Sequence, residues 1–295
     1  MVIDLPQNFQ MNAINRFTTQ VVRRDGKPSS GEMTFNFGKL GFIDGSGYTV
    51  LSNTIGWLLS YGVKVQFINY NRPENHAIQY LDDCGFFEKY INRKIRSAAS
   101  RRGTTLPCTH VEQEYGFTWV EHQLSPWLCR TLWVRPSQIS SIKACVKEVI
   151  NNIADHSTVD TGFVHAQHYP NAHNLKITMS DFGAGIPSTI RARYGAMSDF
   201  EAIEEAVKDG VTAKSRPNNM GAGLSYLVDT VIANRGSVHI QSLSGNLACL
   251  CDTRGRLKQQ RGRATGVYPG TLIEIGLDTR LFVGDDDDER IDFEW

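Results

Sequence analysis

Short apolar runs and amphipathic stretches alternate from the first residue. Met1–Leu5 is apolar and strand-like, and Asn12–Arg24 sets Ile14, Phe17, Val21 and Val22 at helical spacing. Met33–Phe37 alternates as a strand, and Leu40–Ile43 continues it. Thr49–Tyr61 carries Val50, Leu51, Ile55, Leu58 and Leu59 as a helix that stops at Gly62. Val63–Tyr70 alternates Val63, Val65 and Phe67, and Asn75–Tyr90 reads as one helix or two, broken near Gly85. The order β-α-β-α-β-α predicts an α/β domain over residues 1–91, with helices flanking a sheet.

Residues 92–135 break this rhythm. Arg93, Lys94, Arg96, Arg101 and Arg102 form a basic run, expected as an exposed loop, and a helix packing through Trp127, Leu128 and Leu132 follows. We take 92–135 as a connector. Over 136–280 a second α/β pattern begins. Ser137–Ser157, Asp199–Lys208 and Leu224–Asn234 read as helices. Gly162–His168, Leu175–Ser180, Val238–Leu243, Leu247–Cys251 and Thr271–Leu277 read as strands, and Gly183–Gly223 is a glycine-punctuated stretch. Residues 281–295, with the run Asp285–Glu289, are expected to be a disordered acidic tail. No internal repeat is visible.

Composition narrows the class. The chain has 295 residues, enough for about two domains, and 31 basic residues balance 31 acidic ones. A zero net charge argues against nucleic acid or an anionic membrane as the main partner. The start, Met-Val-Ile-Asp-Leu-Pro, has no secretory pattern, and no apolar run reaches the ~20 residues of a membrane helix, so a cytoplasmic protein is expected. The six cysteines, at 84, 108, 129, 145, 249 and 251, lack metal-ligand spacing and read as reduced thiols.

Three polar motifs stand out. Glu148, Asn152 and Asp155 lie at i, i+4 and i+7 on one face of a helix whose Val146, Val149, Ile150 and Ile153 form the apolar face. Such a polar stripe is commonly solvated, but a carboxylate and carboxamide beside a core also suit Mg²⁺ shared with nucleotide phosphates. Asp181 ends a strand and is followed by Gly183 and Gly185, which let a flat base approach the backbone. Asn218-Asn-Met-Gly-Ala-Gly-Leu224 opens a helix, where free N–H groups favour phosphate.

In this order the motifs resemble those of the GHKL family, which includes gyrase, histidine-kinase ATP domains and the anti-sigma-factor serine kinases. Glu148-x-x-x-Asn152 with Asp155 is similar to its N box, Asp181-Phe-Gly-Ala-Gly-Ile to its G1 box, Gly221-Ala-Gly-Leu to its G2 box, and Gly270-Thr271 to its closing Thr motif. The resemblance covers roughly residues 136–278 and implies a Bergerat α/β sandwich binding ATP and Mg²⁺. It implies that Asn152 coordinates Mg²⁺, that Asp181 binds the adenine amino group and that Glu148 is the base. Asp155, Gly183, Gly185, Gly221, Gly223, Leu224 and Thr271 would line the nucleotide. Residues 187–220 would form a lid, with Lys214 contacting phosphate.

The first domain carries a second resemblance. Gly41-Phe-Ile-Asp-Gly-Ser-Gly47, the strand at Val63 and the helix ending at Asp83-Cys-Gly-Phe-Phe87 resemble STAS domains, the anti-sigma-factor antagonist fold. That resemblance makes Ser46 a phosphoacceptor candidate, exposed at a helix N-terminus. Asp44-Gly-Ser-Gly can equally be a plain helix cap.

Among the activities of the GHKL family, histidine kinase is disfavoured, since His110 and His122 lie in no two-helix heptad pattern. Gyrase-type work is disfavoured too, because little chain follows 278 to act as a transducer. The remaining expectations are a slow ATPase or serine-kinase-like enzyme with a regulatory protein partner. The alternative is a non-catalytic, nucleotide-gated interaction module in signalling or a defence-type complex. A homodimer is compatible with either.

Overall fold

The computed structural model describes residues 1–23, 25–156, 161–208, 211 and 223–282, with the side chains of Gln113, Glu114, Ile153–His156 and Thr161 outside the description. It is a mixed α/β chain with three sheets. Strands β1 (Val2–Asp4), β3 (Glu32–Asn36) and β5 (Lys64–Ile68) form a parallel sheet in that order. Leu40–Ile43 does not continue β3. Phe42–Ile43 (β4) instead pairs in parallel with Asn8–Phe9 (β2) as a separate two-stranded unit. Helices α1 (Met11–Val21), α2 (Gly45–Ser60), α3 (His76–Asp83) and α4 (Phe86–Ile91) accompany these strands. Gly85, at φ +79°, separates α3 from α4 at the break read from the sequence.

α2 begins four residues earlier than its apolar pattern suggests. Asp44 caps it by accepting from the Gly47 N–H at 3.1 Å, which draws Gly45-Ser-Gly47 into the first turn. Gly47 is required there, because a Cβ would run into the Phe9 carbonyl and stand 3.0 Å from Ile43.

The segment 92–135 is more structured than a connector. Arg96 and Arg102 are ion-paired to Asp83 at 2.5 and 2.7 Å, and buried Asp82 accepts from the Ile95 and Arg96 N–H groups. The basic run is thus partly a fastening rather than a solvated loop. Thr105–Glu112 forms a strand, β6, that its mixed sequence did not announce. Helix α5 (Gln113–Trp119), a π turn (Val120–Leu124) and α6 (Ser125–Leu132) follow, with Trp127 and Leu128 buried as expected.

The main sheet has the order β6-β7-β8-β10-β9, with β7 at Thr161–Tyr169, β8 at Asn174–Asp181, β9 at Ser237–Cys251 and β10 at Leu257–Asp278. Its pairings are antiparallel. β9 folds back on itself. Fifteen extended residues would span roughly 50 Å, yet the Cys251 N–H donates to the Gly236 carbonyl at 3.2 Å. The reversal falls at Leu243, whose φ is +51°. Residues 245–251 then pair with 257–263 of β10, and the other half of β10 returns to lie between β8 and the start of β9.

One face of this sheet packs under α7 (Ser140–His156) and α10 (Leu224–Ala233), through Val146, Val149, Ile150, Leu227 and Val231 against Val164, Ile177, Ile273 and Val238. The other face meets α1 and α2, so Phe163, Phe182, Tyr268 and Leu272 belong to the first domain's core. Phe282 is also buried against the α7 side, which carries the packed body two residues past the boundary expected at 280. No described helix is long and apolar enough to cross a membrane.

Gly47→Ala is expected to lower stability by about 1–3 kcal/mol, since backbone on the facing strand must move. Gly103→Ala, with nothing within 4 Å of a new Cβ, should stay within about 0.5 kcal/mol of wild type. Urea denaturation of both variants checks the contrast.

Candidate functional site

Side-chain alternation and strand register place the motif residues. On β8, Leu175, Ile177 and Met179 point toward α7 and α10, so Asp181 does too. Thr271 pairs directly with Asp181 and Ser242 pairs with Thr271. By the same alternation both face the helices. Asp181, Thr271 and Ser242 therefore form a row across β8, β10 and β9 at one end of the sheet.

The two helices bring their polar ends to that row. α7 runs into β7, whose Phe163 pairs with Ser180, so the C-terminal half of α7 lies at the Asp181 end. α10 leads through Gly236 into Ser237, which pairs with Gly276 at the far end, so the N-terminus of α10 also lies at the Asp181 end. The core stripe of α7 is flanked on one side by Lys143 and Lys147, both paired to Glu121 at 2.9 and 2.6 Å. Half-buried Glu148 and Asn152 lie on the other flank. Burial pushes the Cys145 thiol on that flank up to about 11, with Thr230 of α10 opposing the rise and the Glu148 charge adding to it. The Glu148/Asn152 flank therefore faces the gap between α7 and α10.

Backbone geometry at the row explains the glycines. Gly185 sits at φ +75°, and a Cβ there would press on Ser242 Oγ at 2.7 Å and the Gly270 carbonyl at 3.0 Å. Gly270, at φ +134°, abuts the Asp181 carbonyl and Gly183 N. The Gly183 N–H donates to Pro269 O at 3.2 Å. Ser242 Oγ accepts from the Ile186 N–H at 3.0 Å and donates to Gly270 O at 2.6 Å, tying the two loops together. Nothing in the sequence marks Ser242, a serine near the end of an ordinary strand pattern. Gly223, which has no side chain to cap with, precedes α10, and half-buried Leu224 begins the helix.

Asp181 is the one carboxyl of the row. Burial pushes it up to about 8, and the Thr271 and Asp181 N–H groups offset this only in part. No cationic side chain among the described residues lowers it. A carboxyl kept out of water without a counter-charge is costly unless a donor meets it.

The structure thus brings Asp181, Gly183, Gly185, Gly223, Leu224 and Thr271 to one end of the sheet, with Glu148 and Asn152 on the adjoining helix. Lys214 and Gly221 lie outside the described residues, as does the side chain of Asp155. The stretch expected as a lid holds, in its described part, two packed helices, α8 (Ile186–Tyr194) and α9 (Asp199–Ala206). Asp199 joins them to the β9 reversal by accepting from Arg191 at 2.7 Å and from the Ser244 N–H at 2.9 Å.

Ser46 is placed otherwise than expected. It is fully buried, and its hydroxyl donates to Glu274 on the opposite face of the sheet. An exposed phosphoacceptor does not fit this position. Glu274 also binds Lys176 Nζ at 2.9 Å, beside Asp44, which burial raises to about 6. Nearby, Asn53 Nδ2 of α2 donates to Ser180 Oγ at 2.7 Å, and Ser180 bonds to Tyr268. His110 lies on strand β6 against Phe163, not on a helix.

A shallow cleft of about 300 Å³ opens at the other end of the sheet, lined by His173, Arg235, Gly236, Cys251, Gly276 and Arg280 among others. All six cysteines are free thiols. No protein-family model and no curated protein matches the chain.

The raised Asp181 carboxyl has a stability consequence. Its folded value lies above the ordinary 3.8, so the folded state holds the proton longer. The Asp181 contribution is most favourable below pH 3.8 and is lost as pH rises to about 8. Asp181→Asn should flatten that dependence and raise stability at pH 8 by more than about 1 kcal/mol. Denaturant titrations of ligand-free wild type and variant across the range provide the check. An Asn variant no more stable than wild type at pH 8 would contradict it.

Proposed function

We propose that the chain is a regulatory ATP-binding protein of GHKL type, with ATP and Mg²⁺ held at the Asp181 end of the main sheet. The observation that carries this reading is the buried Asp181 carboxyl, without a counter-cation among the described residues, in a row with Thr271 and Ser242. Around it converge the Glu148/Asn152 flank of α7 and the side-chain-free N-cap of α10. Asp181 is suited to accept from an adenine amino group, and Gly183 and Gly185 carry no side chain of their own to hold a base off the backbone.

The donor set fits a magnesium nucleotide better than a metal alone. Asn152 offers one neutral oxygen, and Mg²⁺ ordinarily takes few protein ligands beside phosphate oxygens and waters. When bound, the ion neutralises phosphate charge. The first-turn N–H groups of α10, after Gly223, suit phosphate oxygens. Glu148, one turn before Asn152, is the candidate to orient a water or hydroxyl and accept its proton. This supports a slow ATPase or serine-kinase-like enzyme acting in the cytoplasm with a regulatory protein partner.

A second reading has its own support. α2 bonds to Ser180, which neighbours Asp181 from the opposite face, and to Glu274, three residues along β10 from Thr271. Nucleotide binding could thereby be read by the first domain, a STAS-like docking element, without phosphoryl transfer.

Calorimetry and γ-labelled ATP separate these readings. Wild type should bind Mg-ATP in preference to Mg-GTP, Asp181→Asn should lose that preference, and Asn152→Ala should lose the magnesium-dependent part of the affinity. Glu148→Ala should keep ATP and lose phosphate release or transfer. Binding without turnover in wild type selects the gated interaction module, and no ATP binding at all overturns the site.

A further inference from the structure

Among the described residues, the folded-back course of β9 leaves the 257–263 half of β10 as the outer edge of the main sheet, paired on one side only, to residues 245–251. That edge is open and basic. Residues 254–261 are exposed, and Leu257 keeps 44% of its surface in water. Arg261 is paired to Glu204, whereas the side chains of Arg254, Lys258 and Arg263 have no ion-pair partner among the described residues. An unpaired edge strand exposes a row of backbone N–H and C=O groups that can template another strand.

We propose that the chain's own C-terminal segment, residues 290–295, adds to this edge as a further strand. Three observations select that occupant. The first is pattern: Ile291, Phe293 and Trp295 alternate with Asp292 and Glu294, the period-2 signature of a strand with one apolar and one acidic face. The second is charge. Asp292 and Glu294 match an edge bearing Lys258, and Asp285–Glu289 would pass Arg254 and Arg235 on the way.

The third is reach. The described chain leaves the sheet at Phe282, after Asp278 and Arg280, which line the same cleft as Leu250 and Cys251. Leu257 pairs with Cys251, so the edge begins at the end where the tail departs. From the second half of β10 the lateral order is 237–242, 245–251 and 257–263, and a new strand would take the fourth place. At about 4.8 Å per strand that is roughly 19 Å. Residues 283–289 can span roughly 23 Å.

Entry at the Leu257 end makes the added strand parallel to 257–263. Its apolar side chains then extend the face that carries Leu257, and its acids the face that carries Lys258. The edge cations thus both deter foreign strands and select an acidic one.

Hydrogen exchange on the full-length protein tests this. The outward amides of 257–263 should exchange about tenfold faster in Phe293→Pro, which removes an N–H and breaks the strand pattern, than in wild type. Lys258→Glu should show the same loss, and Lys258→Glu combined with Asp292→Lys and Glu294→Lys should recover protection. The protection should persist on dilution. Equal exchange in wild type and Phe293→Pro overturns the proposal, and protection that fades on dilution overturns it in favour of strand exchange between two copies.

Discussion

Both faces of the main sheet are covered, and the face that meets α2 is polar as well as buried. Glu274, Ser180 and His165 lie buried on it beside half-buried Lys176, and the buried groups need partners where water is excluded. α2 supplies two of them: Ser46 bonds to Glu274 and Asn53 to Ser180. Tyr80 of α3 meets His165 at 3.0 Å. The contact is close because α2 presents Gly45 and Gly56 to the sheet. A Cβ on the first would stand 2.9 Å from His165, and on the second 2.9 Å from Phe163. Lys176 and Tyr268 meet Glu274 and Ser180 from within the sheet as well, so docking of α2 adds partners to buried polar groups that separation would leave less well matched.

This packing also bears on the candidate site. Ser180 and Asp181 are successive residues on β8 with side chains on opposite faces, as are Tyr268 and the Gly270–Thr271 turn two residues on. Asn53 thereby braces the strand ends that hold Asp181 and Thr271, from behind. The site end is stiff at the sheet, where Ser242 ties the Gly185 and Gly270 loops together. Asp181 is left as a buried carboxyl whose cost is offset only in part by backbone N–H groups and by no cation among the described residues, the kind of local conflict expected where a ligand is to be met.

The placements a sequence dictates locally transferred well to space. Glu148 and Asn152 were readable because helical periodicity sets i and i+4 on one flank, whatever the helix packs against. Asp181 with its two glycines was readable because a strand followed by a glycine turn leaves few backbone courses. Gly85 announced the α3–α4 break for the same reason. Ser46 shows the limit. The turn around it was read correctly as a helix cap, but whether a capped helix end faces solvent or another domain depends on residues 228 positions away.

The order of helices and strands, the two α/β patterns and the polar flank of α7 follow from local period and turn chemistry alone. Tertiary structure decided what lies across from what. β6 and the 257–267 stretch of β10 lack an apolar alternation strong enough to announce them, because they are sheet edges held by backbone pairing. The reversal within β9 depends on Asp199, far along the chain, accepting from Ser244. The charge of the 93–102 run was visible, but its fastening to Asp83 was not. In each case the deciding contact is between residues distant in sequence, and local preference carries no information about a partner that only the folded chain brings near.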